Sequence, residues 1–430
     1  MKRRLTLLDF FEYLMAVTFI INANSIYVHL PINENNLINY FLVIFMIVGV
    51  MGCFLYKNKV SVYRINKGIT VATFFIIYCG FYILLRPNNI VGDLYLLVIN
   101  CILIVYYFFC CNDYDIPAIL FKFRNLICFI ALVSIFMWVM CSIVSVIPQT
   151  GNVFSAWSDT GEYKVVPNFF YIYFETQKID IFGFNNIIRN SAIFTEAPMA
   201  SLNFSLALII ELFLCKKVSK KKVLIFIIAI LTTFSMTGYI LILMAFGIKL
   251  LLYTPKSNSA HILKLFLVPV CVVIVGYVGF NLLSEKLSSH SGSIRLDDFV
   301  AGYKAWQENI FFGTGGGEVN QQTLISYMSP FRLYNTGFSN SIMMILSGRG
   351  LYGGILYFGC IVKGLCDGIK QKNFNKFFFV VFFLYLFTIT VIAYSYLTYF
   401  ILIFLMNHKT SQNKNKSIRI SSMRSKQALI

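Results

Sequence analysis

The chain has 430 residues, of which 58% are hydrophobic and only 13% are charged. A soluble globular domain has about 25% charged residues, so this composition excludes a soluble enzyme and indicates a polytopic membrane protein. The formal net charge of +18 raises the question of nucleic-acid binding, but the positions of the basic residues indicate membrane topology instead.

Apolar stretches long enough to cross a membrane, about 20 residues each, recur along the chain. The first, at 7–30, is followed by no small-residue cleavage site, so we interpret it as a retained helix and not as a signal peptide. The predicted spans are 7–30, 37–56, 69–85, 92–111, 126–148, 191–215, 223–236, 238–253, 262–283, 340–362, 377–391 and 393–407. This predicts an all-α polytopic membrane protein with about twelve transmembrane helices.

Two of these pairs of spans are short, namely 223–236 with 238–253 and 377–391 with 393–407. Each pair is either a tight hairpin or one long kinked helix. Residues 1–408 form a single transmembrane domain in this interpretation, and 409–430 form a basic tail.

The basic residues orient the chain. With the N-terminus placed in the cytoplasm, 27 of the 36 lysines and arginines lie in inside segments and nine lie outside. Membrane proteins keep basic residues on the cytoplasmic side, so both termini are predicted to be cytoplasmic. The tail is then an orientation and anionic-lipid signal, and no nucleic acid is expected as a partner. The eleven cysteines lie in apolar runs or at helix ends and show no metal-ligand spacing, which predicts buried thiols.

Two predicted outer segments, at about 149–190 and 284–339, are too long to be simple connections. Their many aromatic residues argue against disorder, so we expect ordered caps over the outer face. The second contains NIFFGTGGGEVN at 309–320, which lacks the lysine of a nucleotide-binding glycine loop. Gly315 and Gly316 are therefore expected to allow a tight turn or the close approach of a ligand.

The end of the first outer segment combines an arginine, a carboxylate and a helix start. Pro198 and Thr195 predict that a membrane helix begins near Thr195, with its positive dipole end facing outward close to Arg189. Such an end suits an anion such as pyrophosphate. Glu196 either stabilises the helix start or acts as a base or a ligand of sugar hydroxyls.

A helix is predicted from about 294 to 309 in the second outer segment. Arg295, Phe299, Gly302 and Trp306 recur on one face of it. Arg295 either anchors the helix at the membrane surface or binds phosphate oxygens with its planar fork.

Several other polar residues of the outer face are candidates. Arg332 is a third candidate for phosphate binding, and Asn340 either caps the next helix or binds substrate. Glu318, next to the glycine run, is the second candidate base after Glu196. Arg349 lies within a predicted span, so it must face protein or a cavity.

The layout and four motifs resemble the O-antigen polymerase family of bacterial polysaccharide synthesis and the related O-antigen ligases. The motifs are RNSAIFTEAPMAS (189–201), LTTFSMTGYILIL (231–243), SIRLDDFVAGYKAWQENIFFGTGGG (293–317) and FSNSIMMILSGRGLYGGI (338–355). Two positions depart from the family pattern. Met236 replaces the usual arginine, and Ser339 stands where ligases carry histidine, which favours a polymerase.

The resemblance implies a glycosyltransferase at the outer face of the bacterial inner membrane. Its substrates would be undecaprenyl-pyrophosphate-linked oligosaccharide repeat units, of O-antigen or capsule, within the membrane lipids. Aromatic residues of the two outer segments, Trp157 and Trp306 among them, would stack on the sugar rings. A chain-length regulator protein is a candidate partner, and no cofactor, nucleotide sugar or metal ion is expected. The alternatives are an O-antigen ligase and a flippase or transporter of lipid-linked oligosaccharides. A transporter, however, usually concentrates charges at mid-membrane, where most spans here carry none.

Overall fold

A computed structural model describes residues 6–57, 60–112, 114–158, 163–181, 184–252, 290–332 and 335–408. Its helices are α1 (Leu7–Asn22), α2 (Leu37–Tyr56), α3 (Val62–Leu85), α4 (Ile90–Cys110), α5 (Ala118–Met137), α6 (Ala197–Ile209), α7 (Lys220–Thr232), α8 (Met236–Leu252), α9 (His290–Glu308), α10 (Glu318–Tyr327), α11 (Ser341–Lys370), α12 (Phe374–Ile389) and α13 (Tyr396–Asn407). The predicted span at 262–283 and the tail at 409–430 lie outside the described residues.

The apolar helices follow the predicted spans. Each predicted span within the described residues overlaps a helix. In that part of the chain six segments are long and apolar enough to cross a membrane: Leu37–Tyr56, Val62–Leu85, Pro87–Cys110, Ala118–Ile143, Ala197–Leu214 and Ser341–Lys370. The chain is therefore a membrane protein, and the total of about twelve spans stays a prediction.

Both short pairs of spans form helical hairpins. Helices α7 and α8 are joined at 233–235, and α12 and α13 are joined at 390–395. Helix α7 has 13 residues and α13 has 12, which correspond to about 20 and 18 Å at 1.5 Å per residue. Both lengths are smaller than the hydrocarbon layer of a bilayer, which is about 30 Å thick. The two turns lie at the end of the bundle where α6 begins, since Asn190 N donates to Thr232 O and Asn24 Nδ2 donates to Val391 O. We call this the outer end, following the predicted orientation.

The first outer segment contains β-structure. Strands β1 (Gly151–Ser155), β2 (Lys164–Phe169) and β3 (Tyr173–Phe174) form an antiparallel sheet, and β4 (Lys178–Ile181) pairs with β5 (Phe184–Ile188). In this sheet Val153 lies opposite Val166, and both are buried together with Ile26. The prediction of an all-α fold was therefore wrong in this segment, and the described chain is mostly helical.

The glycine run forms backbone hydrogen bonds with a membrane helix at the point where that helix is interrupted. Within α11, Gly350 has φ 60° and ψ −160°, which interrupts the helical hydrogen bonds. Thr314 N donates to Ser347 O over 2.8 Å, and Gly315 N donates to Gly348 O over 3.0 Å. Reciprocal bonds run from the backbone N–H groups of 351 and 352 to the carbonyls of 310 and 311. Backbone groups freed at membrane depth need such partners, so this loop stabilises the broken helix.

Gly313 is expected to be essential for this packing. It has φ +69°, and an added Cβ would lie 2.5 Å from Arg349 N. We expect Gly313→Ala to lower the free energy of unfolding by about 2 kcal/mol or more, because it combines backbone strain with overlap against backbone atoms. SDS-driven unfolding in micelles would measure this. Gly359→Ala, where an added Cβ meets nothing within 4 Å, is the control. Equal stability of the two variants would contradict the packing argument.

Candidate active site

The site is built around the start of α6 at the outer end. Glu196 occupies the N-cap position, and its side chain makes no capping hydrogen bond. The helix begins slightly later than the sequence predicts, because the Thr195 hydroxyl donates instead to Asn24 O over 3.2 Å. The carboxylate of Glu196 is thus held at the positive end of the helix dipole without serving as the cap.

Trp157, just after β1, fixes one oxygen of this carboxylate. Its indole Nε1 donates to Glu196 Oε1 over 2.6 Å. The family resemblance implies that Trp157 stacks on sugar rings. In the structure its N–H group donates to the candidate base.

Arg189 holds the α7–α8 turn against the start of α6. Its Nε donates to Thr233 O over 2.8 Å, and its Nη2 donates to Phe234 O over 3.1 Å. Its Nη1 donates to Gln177 Oε1 over 3.2 Å, and that oxygen also accepts from Ala197 N. Three of the five guanidinium N–H groups are thus committed to protein atoms. Arg189 positions the turn as well as contributing charge.

Arg295 approaches the same place from α9. Its Nη1 donates a long bond of 3.5 Å to Thr237 Oγ1 on α8. The hydroxyl of Tyr385, on α12, donates to Thr237 O over 3.1 Å. Within the described residues, the bond to Thr237 is the one hydrogen bond of the Arg295 guanidinium. Arg295 is therefore the less committed of the two arginines.

The charges of these three residues influence one another. Burial lowers the pKa of the Arg189 guanidinium, Glu196 opposes this effect, and Arg295 adds to it. Burial likewise lowers the pKa of Arg295, while Tyr385, Asp298 and Glu196 oppose the shift. The structure thus brings together Arg189, Glu196 and Arg295, three of the residues predicted from sequence, which we call the outer cluster.

Arg332 lies in a separate buried network. Its guanidinium pairs with Asp297 over 2.6 Å and with Asp298, and it donates to Ile294 O over 2.8 Å. Arg332 is a candidate for phosphate binding by sequence, whereas these contacts favour a structural role. They join the segment after α10 to α9, and breaking such a buried ion pair is costly.

Asn340 begins α11. Its side chain accepts from Met343 N over 3.1 Å, as a helix cap does. The preceding Ser339 donates its backbone N–H to Asp298 Oδ2 over 2.9 Å. Burial raises the pKa of Asp298, although these donors and Arg332 oppose the effect. The start of α11 is thereby fixed to α9, which carries Arg295.

The remaining candidates lie with the glycine run. An added Cβ on Gly315 would lie 2.7 Å from Asn88 Nδ2, and Gly316 packs on the neighbouring Asn89. Trp306 Nε1 donates to Ile310 O over 3.0 Å. Glu318 is exposed in the first turn of α10. The structure does not bring these residues into the outer cluster through the contacts it shows.

Arg349 faces protein, as the sequence predicted. It pairs with Asp93 of α4 and lies over the rings of Tyr82 and Tyr394, at 5.2 and 5.7 Å from their centroids. This pair lines an apolar cavity between α3, α4, α11 and α13. Sequence reasoning missed Asp93 as the partner, because the two residues are far apart in the chain.

Sequence reasoning also gave no role to Thr237 or Tyr385. Thr237 falls in LTTFSMTGYILIL, one of the motifs that carry the family resemblance. Membership in this motif was the signal that could have identified Thr237. Tyr385 lies in an apolar run of α12 and carries no sequence signal of its own.

Residues 223–358 match the family model of the O-antigen ligases. This segment is about a third of the chain and contains Thr237 and Arg295, whereas Arg189 and Glu196 precede it. The match confirms the resemblance to the O-antigen polymerase and ligase family. A search of curated proteins found no match to the chain.

Proposed function

We propose that this protein is a polymerase of undecaprenyl-pyrophosphate-linked oligosaccharide repeat units at the outer face of the bacterial inner membrane. Both of its termini would lie in the cytoplasm. The observation that carries the proposal is geometric: Arg189 holds the α7–α8 turn beside the start of α6, where Glu196 lies, and Arg295 contacts Thr237 just after that turn.

The charge of the outer cluster suits a pyrophosphate. Two guanidinium groups and the N-terminus of α6 face one carboxylate, so the cluster carries an excess of positive charge. Burial of like charges close together is unfavourable, and a bound anion would relieve it. Arg295 can present its planar fork to phosphate oxygens, whereas three N–H groups of Arg189 already donate to protein atoms.

The proposed reaction transfers the growing chain. An acceptor hydroxyl of the incoming unit attacks the anomeric carbon of the chain, and a new glycosidic C–O bond forms. The bond from that carbon to the pyrophosphate oxygen breaks, and the lipid pyrophosphate leaves with the electron pair. Arg295 and Arg189 stabilise the negative charge that develops on it. Glu196 takes the proton of the attacking hydroxyl.

An O-antigen ligase is the second candidate, because the matching family model carries that description. A ligase uses the same donor and differs in its acceptor, the lipid A core. Ser339 stands where ligases carry histidine and is bound to Asp298. This departure favours the polymerase.

Deletion of the gene separates the candidates. For a polymerase we expect surface polysaccharide with a single repeat unit on lipid A. Complete absence of repeat units from lipid A would indicate a ligase or a flippase and would contradict the proposal. Sizing of extracted lipopolysaccharide by gel electrophoresis is the measurement, with the plasmid-borne wild-type gene as the control.

A further inference from the structure

We propose that Trp157 is a positioning residue for Glu196. The indole N–H fixes the carboxylate in one orientation and favours its ionised form. The catalytic meaning of this contact rests on the proposed function, whereas the contact itself does not.

The geometry of the contact supports this role. The 2.6 Å bond from Trp157 Nε1 to Glu196 Oε1 joins the β-sheet cap to the start of α6. A donor to a carboxylate stabilises the charged form more than the neutral form. Because indole has a single N–H and no acceptor, this donor cannot reverse its role. The carboxylate is thus held by a group that does not itself titrate.

The indole is in turn held in place by its surroundings. The ring of His29 meets the Trp157 ring edge-on, with centroids 5.0 Å apart and planes at 69°. His29 O also accepts from Ala156 N over 2.8 Å, and Trp157 N donates to Ser155 Oγ over 3.2 Å. Burial lowers the pKa of His29 to about 4, so this imidazole is neutral at pH 7. The indole therefore has a fixed orientation before substrate arrives.

In the part of the chain that the structure describes, the charged groups coupled to Glu196 are Arg189, from the segment before α6, and Arg295, from α9. Both arginines keep their charge in the range where a carboxyl titrates. His29 lies behind Trp157 and titrates at low pH. A direct measurement on Glu196 is needed to separate its protonation from that of His29.

The test is an infrared titration of the Glu196 carboxyl in purified protein in nanodiscs, with Glu196→Gln identifying the band. We expect Trp157→Phe to raise the titration midpoint of this carboxyl by about one pH unit, a tenfold change in proton affinity, because the carboxylate loses its donor. Trp157→His, which retains an N–H group, should show a smaller rise of this midpoint than Trp157→Phe. Trp306→Phe is the control, since it removes an indole bond to Ile310 O, away from the outer cluster. Its midpoint should equal that of the wild type. An unchanged midpoint in Trp157→Phe would overturn the inference.

Initial rates of polymerisation at different pH values then test the catalytic meaning. Right-side-out membrane vesicles of the producing strain contain its own lipid-linked repeat unit and expose the outer face to the medium. A base acts when deprotonated, so in Trp157→Phe the acid limb of the rate profile should move to higher pH with the infrared midpoint. If the midpoint moves and the rate limb does not, the positioning contact is supported and the role of Glu196 as the base fails.

Discussion

Replacing Arg295 by alanine is expected to lower the rate of polymerisation by about 100-fold or more while leaving the amount of folded protein unchanged. Among the residues that the structure describes, the guanidinium makes one hydrogen bond, a long one to Thr237, so its removal leaves few described groups without a partner. Removal of a preorganised donor from developing negative charge typically costs about two to three orders of magnitude in rate. Arg295→Lys should recover only part of the activity, because a point charge cannot reproduce the bidentate fork. Initial rates in membrane vesicles are the measurement.

Lys304→Ala is the matched control for this prediction. Lys304 is an exposed cation on the same helix, α9, and its removal should leave chain length unchanged. Full-length polymer in Arg295→Ala would rule out the phosphate-clamp role of Arg295. Arg189 is a less suitable test, because Arg189→Ala also removes the hydrogen bonds to Thr233 and Phe234 and would disturb the α7–α8 turn.

Replacing Glu196 by glutamine is expected to abolish polymerisation in a protein that still folds and binds its lipid substrate. The side chain makes no capping hydrogen bond to α6, and the amide oxygen of the variant can still accept from Trp157. The amide cannot take a proton, and loss of general-base catalysis typically costs about two to four orders of magnitude in rate. Gel sizing of the polysaccharide, with an immunoblot for protein amount, checks both parts.

Glu318→Gln decides between the two candidate carboxylates. Glu318 is exposed beside the glycine run, and we expect its variant to produce polymer of normal length. If Glu318→Gln loses polymerisation while Glu196→Gln retains it, the base is Glu318, and the reaction lies at the glycine run and not at the start of α6.

The structure also separates residues that looked alike in the sequence. The sequence made both Arg295 and Arg332 candidates for phosphate binding. Asp297 and Asp298, which follow Arg295 closely on α9, pair with Arg332. Sequence spacing places the two carboxylates on the same helix as Arg295, but it does not show that Arg332 and Ser339 bind them.

The sequence by itself determined the class of the protein, the positions of most of its helices and the identity of the outer cluster. Long apolar runs form membrane helices because the bilayer leaves the backbone no other partners, and this constraint acts locally along the chain. Only nine of the 36 basic residues lie in the predicted outer segments, so Arg189 and Arg295, with the carboxylate of Glu196 at a helix start, could be selected as candidates before their contacts were known.

Only the tertiary structure decided which of these residues meet and what holds them. Val153 and Val166 of the cap strands are buried against Ile26, and the glycine run forms hydrogen bonds with the broken helix α11. Trp157 donates to Glu196, which lies 39 positions later in the chain. These contacts join segments that are distant in sequence and leave no periodic pattern in either partner. The free energy that fixes them comes from the packing of the whole bundle, and no local stretch of the chain contains it.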